Sequence, residues 1–118
     1  MTENYTPDQW VLLKVQNKKE TIYKVFGTWV GDYFGRGDYW RMNSGIAKVL
    51  EDENYYYFYG YSGSCYQVDK LSQGTTAYSQ SVLHNLLRQS EEHDYIDIEV
   101  VYEPLKVIME LKGGNSGT

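Results

Sequence analysis

Residues 55–61 read Tyr-Tyr-Tyr-Phe-Tyr-Gly-Tyr, and no other stretch limits the fold so strongly. Aromatic residues favour pleated backbone, and a strand points successive side chains to opposite faces. Tyr55, Tyr57, Tyr59 and Tyr61 therefore share one face, and Tyr56, Phe58 and Gly60 share the other. Each buried ring contributes about 150–250 Å² of contact area, whereas soluble monomers rarely expose contiguous apolar patches above a few hundred Å². A strand with rings on both sides needs cover on both sides.

The rest of the chain supplies strands first and a helix later. Trp10–Gln16 alternates, with Val11, Leu13 and Val15 on one face, and Asn17-Lys18-Lys19-Glu20 suits a hairpin loop. Thr21 to about Val30 reads as a second strand, where Gly27 marks a bulge or a close backbone approach. A glycine-rich loop leads to a third strand, Tyr39–Leu50, interrupted at Ser44-Gly45. The tyrosine run is the fourth strand, and Ser62-Gly63 turns it into a fifth at Ser64–Val68. After Gly74 the period changes: Tyr78, Val82, Leu83, Leu86 and Leu87 fall at helical spacing, giving one amphipathic helix over 77–91. Thr75, Thr76 and Ser79 are all candidate caps. Tyr95–Val101 alternates again, Pro104 ends it, and Leu105–Leu111 fits either a strand or a short helix. Residues 113–118 should be a frayed tail. The expected architecture is one α+β domain over residues 1–118: a five- to six-stranded antiparallel curved meander, able to curl into a barrel, with one packed helix.

One helix covers one face of a sheet. The other face needs strong curvature, a second subunit or a ligand. Curling into a small barrel is the plainest solution, a homo-oligomer the next, because tyrosine suits interfaces that are apolar in body and wet at the hydroxyl.

Charge limits the partners. The net charge of the 118 residues is −5, which argues against direct nucleic-acid binding. Residues 1–50 carry seven Lys/Arg against five Asp/Glu, and residues 51–118 carry four against eleven. An anionic small molecule is better received by the first half, and a basic partner protein by the second. No apolar run approaches the roughly 20 residues of a membrane span, and the N-terminal residues do not read as a secretory signal, so a cytoplasmic location is expected. The single Cys65 excludes an internal disulfide, and two histidines with one thiol make neither a metal site nor a cofactor site expected.

The densest group of chemically capable side chains is the glycine loop with the third strand. Arg41 can grip a phosphate or carboxylate bidentately, Trp40 and Tyr33 can stack on a base, and Asn43 and Ser44 offer hydrogen bonds. Arg36 is expected to close a mobile loop over the site. Ser62, Ser64 and Tyr66 lie in a second turn that can approach Ser44-Gly45, because the third and fifth strands both flank the fourth. The plainer reading of the serines is that they satisfy turn backbone. The loop matches neither a Walker A sequence nor a dinucleotide fingerprint, and no nucleophile–base spacing supports catalysis.

The succession Tyr5-Thr6-Pro7-Asp8 with Trp10, Trp29-x-Gly31-x-Tyr33, Trp40-Arg41-x-Asn43-Ser44-Gly45-Ile46 and Ser62-Gly63-Ser64-x-Tyr66 resembles a family of small tailed-phage proteins. The resemblance spans roughly residues 5–87. Val68 occupies a position where that family often has Cys, a departure that weighs against thiol chemistry. The resemblance implies phage origin and expression in the cytoplasm of a bacterial host, where small phage proteins commonly act against host functions, including defence. The expectation is a non-enzymatic protein that sequesters a small anionic, nucleotide-like ligand. The alternatives are an inhibitor that blocks a host protein by direct contact, and a small nucleotide hydrolase.

Overall fold

In the computed structural model, residues 3–31, 37–93 and 95–113 are described. The chain runs β1 (Asn4–Tyr5), β2 (Gln9–Gln16), β3 (Thr21–Trp29), β4 (Tyr39–Met42), β5 (Ile46–Glu51), β6 (Tyr55–Gly60), β7 (Cys65–Asp69), α1 (Ala77–Glu91), β8 (Asp97–Val101) and α2 (Pro104–Gly113). The strands form two four-stranded sheets, ordered β1-β7-β6-β5 and β4-β3-β2-β8. Pairing is antiparallel except that β1 lies parallel to β7.

Two features of the expected architecture are corrected. The single curved meander is two sheets and not a closed barrel, and there are two helices, since Pro104–Gly113 is helical. The anticipated third strand is divided between the sheets: β4 pairs with β3, and β5 pairs with β6. Ser44-Gly45 is therefore the point at which the chain leaves one sheet for the other. Residues 114–118 lie outside the described residues, while Gly113 ends α2.

That passage answers the demand for cover. Tyr56, Phe58, Tyr66 and Val68 of one sheet pack with Trp10, Leu12 and Val25 of the other, and Ile108 of α2 joins them. Phe58, Leu12, Val25 and Val68 are fully buried there; burying such a side chain contributes about 1.5–3 kcal/mol. Trp10 meets the rings of Tyr56 and Phe58 at centroid distances of 6.0 and 5.7 Å. On the far side of the second sheet, Val11, Leu13 and Phe26 pack against Leu83 of α1. One chain thus makes three layers: sheet, sheet, helix.

Local sequence fixes the connections. Asn17 Oδ1 accepts from the backbone N–H groups of Lys19 and Glu20, closing the β2–β3 hairpin. Thr76 is the N-cap of α1, with its side chain and Ser79 forming a reciprocal capping box. Gly27 is a close approach and not a bulge: the β2–β3 register is unbroken, and a Cβ there would come within 2.9 Å of Pro7.

Candidate functional site

Strand alternation decides which candidate residues can meet. In β4, Arg41 stands opposite Gly27, on the face turned toward the first sheet, whereas Trp40 and Met42 stand opposite Thr28 and Phe26. Trp40 stacks on Phe26 at 5.2 Å in the layer that packs on α1. The structure therefore does not bring Trp40 to Arg41: neighbours on one strand point to opposite faces. Tyr33 and Arg36 lie outside the described residues.

Arg41, Asn43, Ser44, Ser64 and Tyr66 do come together, around a cavity of about 400 Å³. Its walls come from β4, from the 43–45 corner, from the Ser62-Gly63-Ser64 turn and from β1. The corner and the turn are tied to each other. Ser44 Oγ accepts from the N–H of Ser62 at 3.0 Å, and the Gly45 carbonyl accepts from Tyr61 N–H at 3.0 Å. The Gly60 N–H in turn donates to the Ser64 carbonyl at 2.8 Å. Gly45 has φ of 134°, and a Cβ there would stand 2.8 Å from the Tyr61 ring, so only glycine fits the corner without strain.

Asn43 serves the fold before any ligand. Its N–H donates to the Val25 carbonyl, and its Oδ1 accepts from Val25 N–H at 2.9 Å, so the side chain takes the place of the next strand residue. Only 4% of Asn43 is exposed, and its Nδ2 has no acceptor among the described residues.

Tyr5 and Glu3 also line the cavity, and the sequence reading did not select them. The Arg41 guanidinium lies 4.6 Å from the Tyr5 ring centre and donates to the Tyr5 hydroxyl at 3.3 Å. That hydroxyl donates to the Glu3 carboxylate at 2.5 Å. The bond to Glu3 holds the Tyr5 pKa above its ordinary value, and burial of its neighbour Tyr66 pushes that phenol up to about 12. Both rings are neutral near pH 7. Behind them Trp29 stacks on Tyr39 at 5.3 Å and meets Tyr5 edge-on at 6.3 Å. A two-residue strand carries no periodic signal; the available clue was Tyr5 at the head of the Tyr5-Thr6-Pro7-Asp8 run.

Chemically, the cavity presents a guanidinium and serine hydroxyls, with its one carboxylate occupied by a phenol; the Asn43 amide nitrogen is sealed from solvent in its wall. Its volume is that of small-molecule sites. Cys65 faces away from it: as the strand neighbour of Tyr66 it points to the opposite face, beside Tyr59, and burial raises its thiol pKa. Compared with known protein families, with curated proteins and with solved structures, the chain matches none. Among the described residues, no helix is long and apolar enough to cross a membrane, and no group of three or more metal-ligating side chains occurs.

Proposed function

We propose that this protein is a non-enzymatic binder that sequesters a small anionic, nucleotide-like ligand in the Arg41 cavity. The observation that carries the reading is the convergence of Arg41, Asn43, Ser44 and Ser64 on one hollow of about 400 Å³. Arg41 supplies the charge-assisted contact to a phosphate, and the serine hydroxyls complete its hydrogen bonds. The ring system of Tyr5 and Tyr66, not Trp40, is the aromatic wall available to a base. Phage origin and an anti-defence role belong to the same proposal and rest on the resemblance described above. So does self-association: Tyr55, Tyr57 and Tyr59 are half-exposed rings that belong to neither core cluster.

Thermal denaturation against a panel of mono-, di- and cyclic nucleotides tests this. A ligand at a hundred times its Kd adds about 2.7 kcal/mol of stability, and the ligand should be recovered chemically intact. Arg41→Ala should abolish the gain without lowering the melting temperature of the free protein, since the side chain is exposed. A panel that leaves the melting temperature unchanged, or ligand returned cleaved, contradicts the proposal. The first outcome, with salt-sensitive capture of a host protein, favours the inhibitor.

A further inference from the structure

The outer face of the first sheet has no covering layer among the described residues: α1 packs on the second sheet, and Ile108 brings α2 into the core between the sheets. Strand pairing arranges this outer face in three rows. Lys48 stands beside Tyr59, Leu50 beside Tyr57 and Gln67, and Asp52 beside Tyr55 and Asp69. Leu50, in the middle row, is 47% exposed.

The side chains of this face are already ordered. The Tyr57 hydroxyl donates to the Asp52 carboxylate at 2.7 Å, the Lys48 ammonium lies 5.1 Å from the Tyr59 ring centre, and the Tyr55 and Tyr57 rings are 6.4 Å apart. Groups held in place beforehand lose less entropy on association.

The charge pattern decides what fits. The cation lies at one end of the face and the two carboxylates at the other, and neither Lys48 nor Asp52 forms an ion pair among the described residues. A wholly basic partner would be repelled by Lys48, and a wholly acidic one by Asp52 and Asp69. The face complements its own image instead. A two-fold axis along the Leu50–Tyr57–Gln67 row lays the Lys48 end of each copy over the partner's Asp52 end, and brings Leu50 and Tyr57 against their own counterparts. Sheets stacked face to face stand about 10 Å apart, a gap that lysine and tyrosine side chains from two copies can fill.

We propose that two copies of this chain associate through this face, with Lys48 of each paired to the partner's Asp52. The inference deepens the self-association proposed above and rests on it. The Arg41 cavity takes no part, since Tyr66 points to the opposite side of β7 from Cys65 and Gln67.

Sedimentation equilibrium of the full chain without ligand, over a wide range of concentrations, tests the interface. The wild type should reach the mass of two chains. Leu50→Glu, at an exposed position, sets two carboxylates against each other at the axis and should leave single chains with an unchanged circular dichroism spectrum. Lys48→Glu turns both attractions into repulsions and should raise the dimer dissociation constant about tenfold. Asp52→Asn keeps the turn acceptor for the Asn54 and Tyr55 N–H groups. Mixing it with Lys48→Glu should recover much of the loss, because the introduced carboxylate then faces a neutral amide; a local structural defect would not be relieved by mixing. Single chains at every wild-type concentration, whether or not another protein binds the face, overturn the self-association and the interface together. A wild-type dimer indifferent to Leu50→Glu and Lys48→Glu overturns the interface alone. Neither result bears on nucleotide binding, which the Leu50→Glu protein should retain.

Discussion

Asn43 shows how one side chain can hold both a fold and a cavity wall. Its Oδ1 satisfies the buried Val25 N–H at the place where β4 can no longer do so. Asn43→Ala orphans that donor, and leaving a buried polar group unpaired costs about 1–3 kcal/mol. Urea unfolding should show this loss, with an unchanged slope. Tyr66 offers a second test at this scale. Burial raises its pKa to about 12, so the folded state holds the phenol's proton more tightly than the unfolded chain. The resulting stability is present below the ordinary tyrosine pKa of about 10 and is lost as pH rises through it toward 12. Tyr57, whose hydroxyl donates to the Asp52 carboxylate, is also pushed up to about 12, so absorbance titration should show late-ionising tyrosines in the wild type, and Tyr66→Phe should reduce their number by one while Tyr57→Phe removes the other.

The elements themselves were largely legible. Alternation in β2, β3, β6 and β8, and helical spacing in α1, follow from which residues must face a core, and the structure differs at their ends by a residue or two. The candidate caps resolve to Thr76, whose side chain accepts from Ser79 N–H at 3.2 Å. Thr76→Ala should lower stability by about 1 kcal/mol, measured by thermal or urea unfolding. The division into two sheets was not legible. A period of two assigns a face to each side chain but does not say to which sheet the strand belongs. That information lies in Ser44-Gly45, which reads equally well as a bulge. Gly45→Ala places a side chain at a positive φ and against Tyr61, costing about 1–3 kcal/mol; recovery of wild-type stability in this variant would remove the corner from its structural role. α2 was ambiguous because Leu105–Leu111 is too short for its period to separate strand from helix. The site was readable where alternate residues share a face, as with Arg41 and Asn43, and misread where Trp40 was grouped with Arg41 by sequence adjacency alone.

At the scale of the molecule, a small ionic network links distant parts of the chain. Glu51 of β5 bonds both Lys112 of α2 and Lys70 after β7. These two ammonium groups hold the Glu51 pKa below the ordinary carboxylate value, and the Tyr57 hydroxyl, with backbone N–H groups, does the same for Asp52. A depressed folded-state pKa gives stability that is present above the unfolded value and lost as pH falls through the folded one. Wild-type melting temperature should therefore fall as pH drops below about 4.5, by the small amount that exposed ion pairs contribute, and Glu51→Gln should flatten that part of the descent; identical acid profiles would show the network to be energetically idle. The three layers bury the tyrosine strand's inner face and leave the Arg41 cavity open at the margin between them, where a ligand can enter without unfolding anything. The most direct measurement is native mass spectrometry of the wild type and Arg41→Ala, each purified from phage-infected, defence-active bacteria. The account predicts that the wild type retains an anionic mass of nucleotide size and that Arg41→Ala does not; protein recovered without such a mass, or the same mass on both, would contradict it.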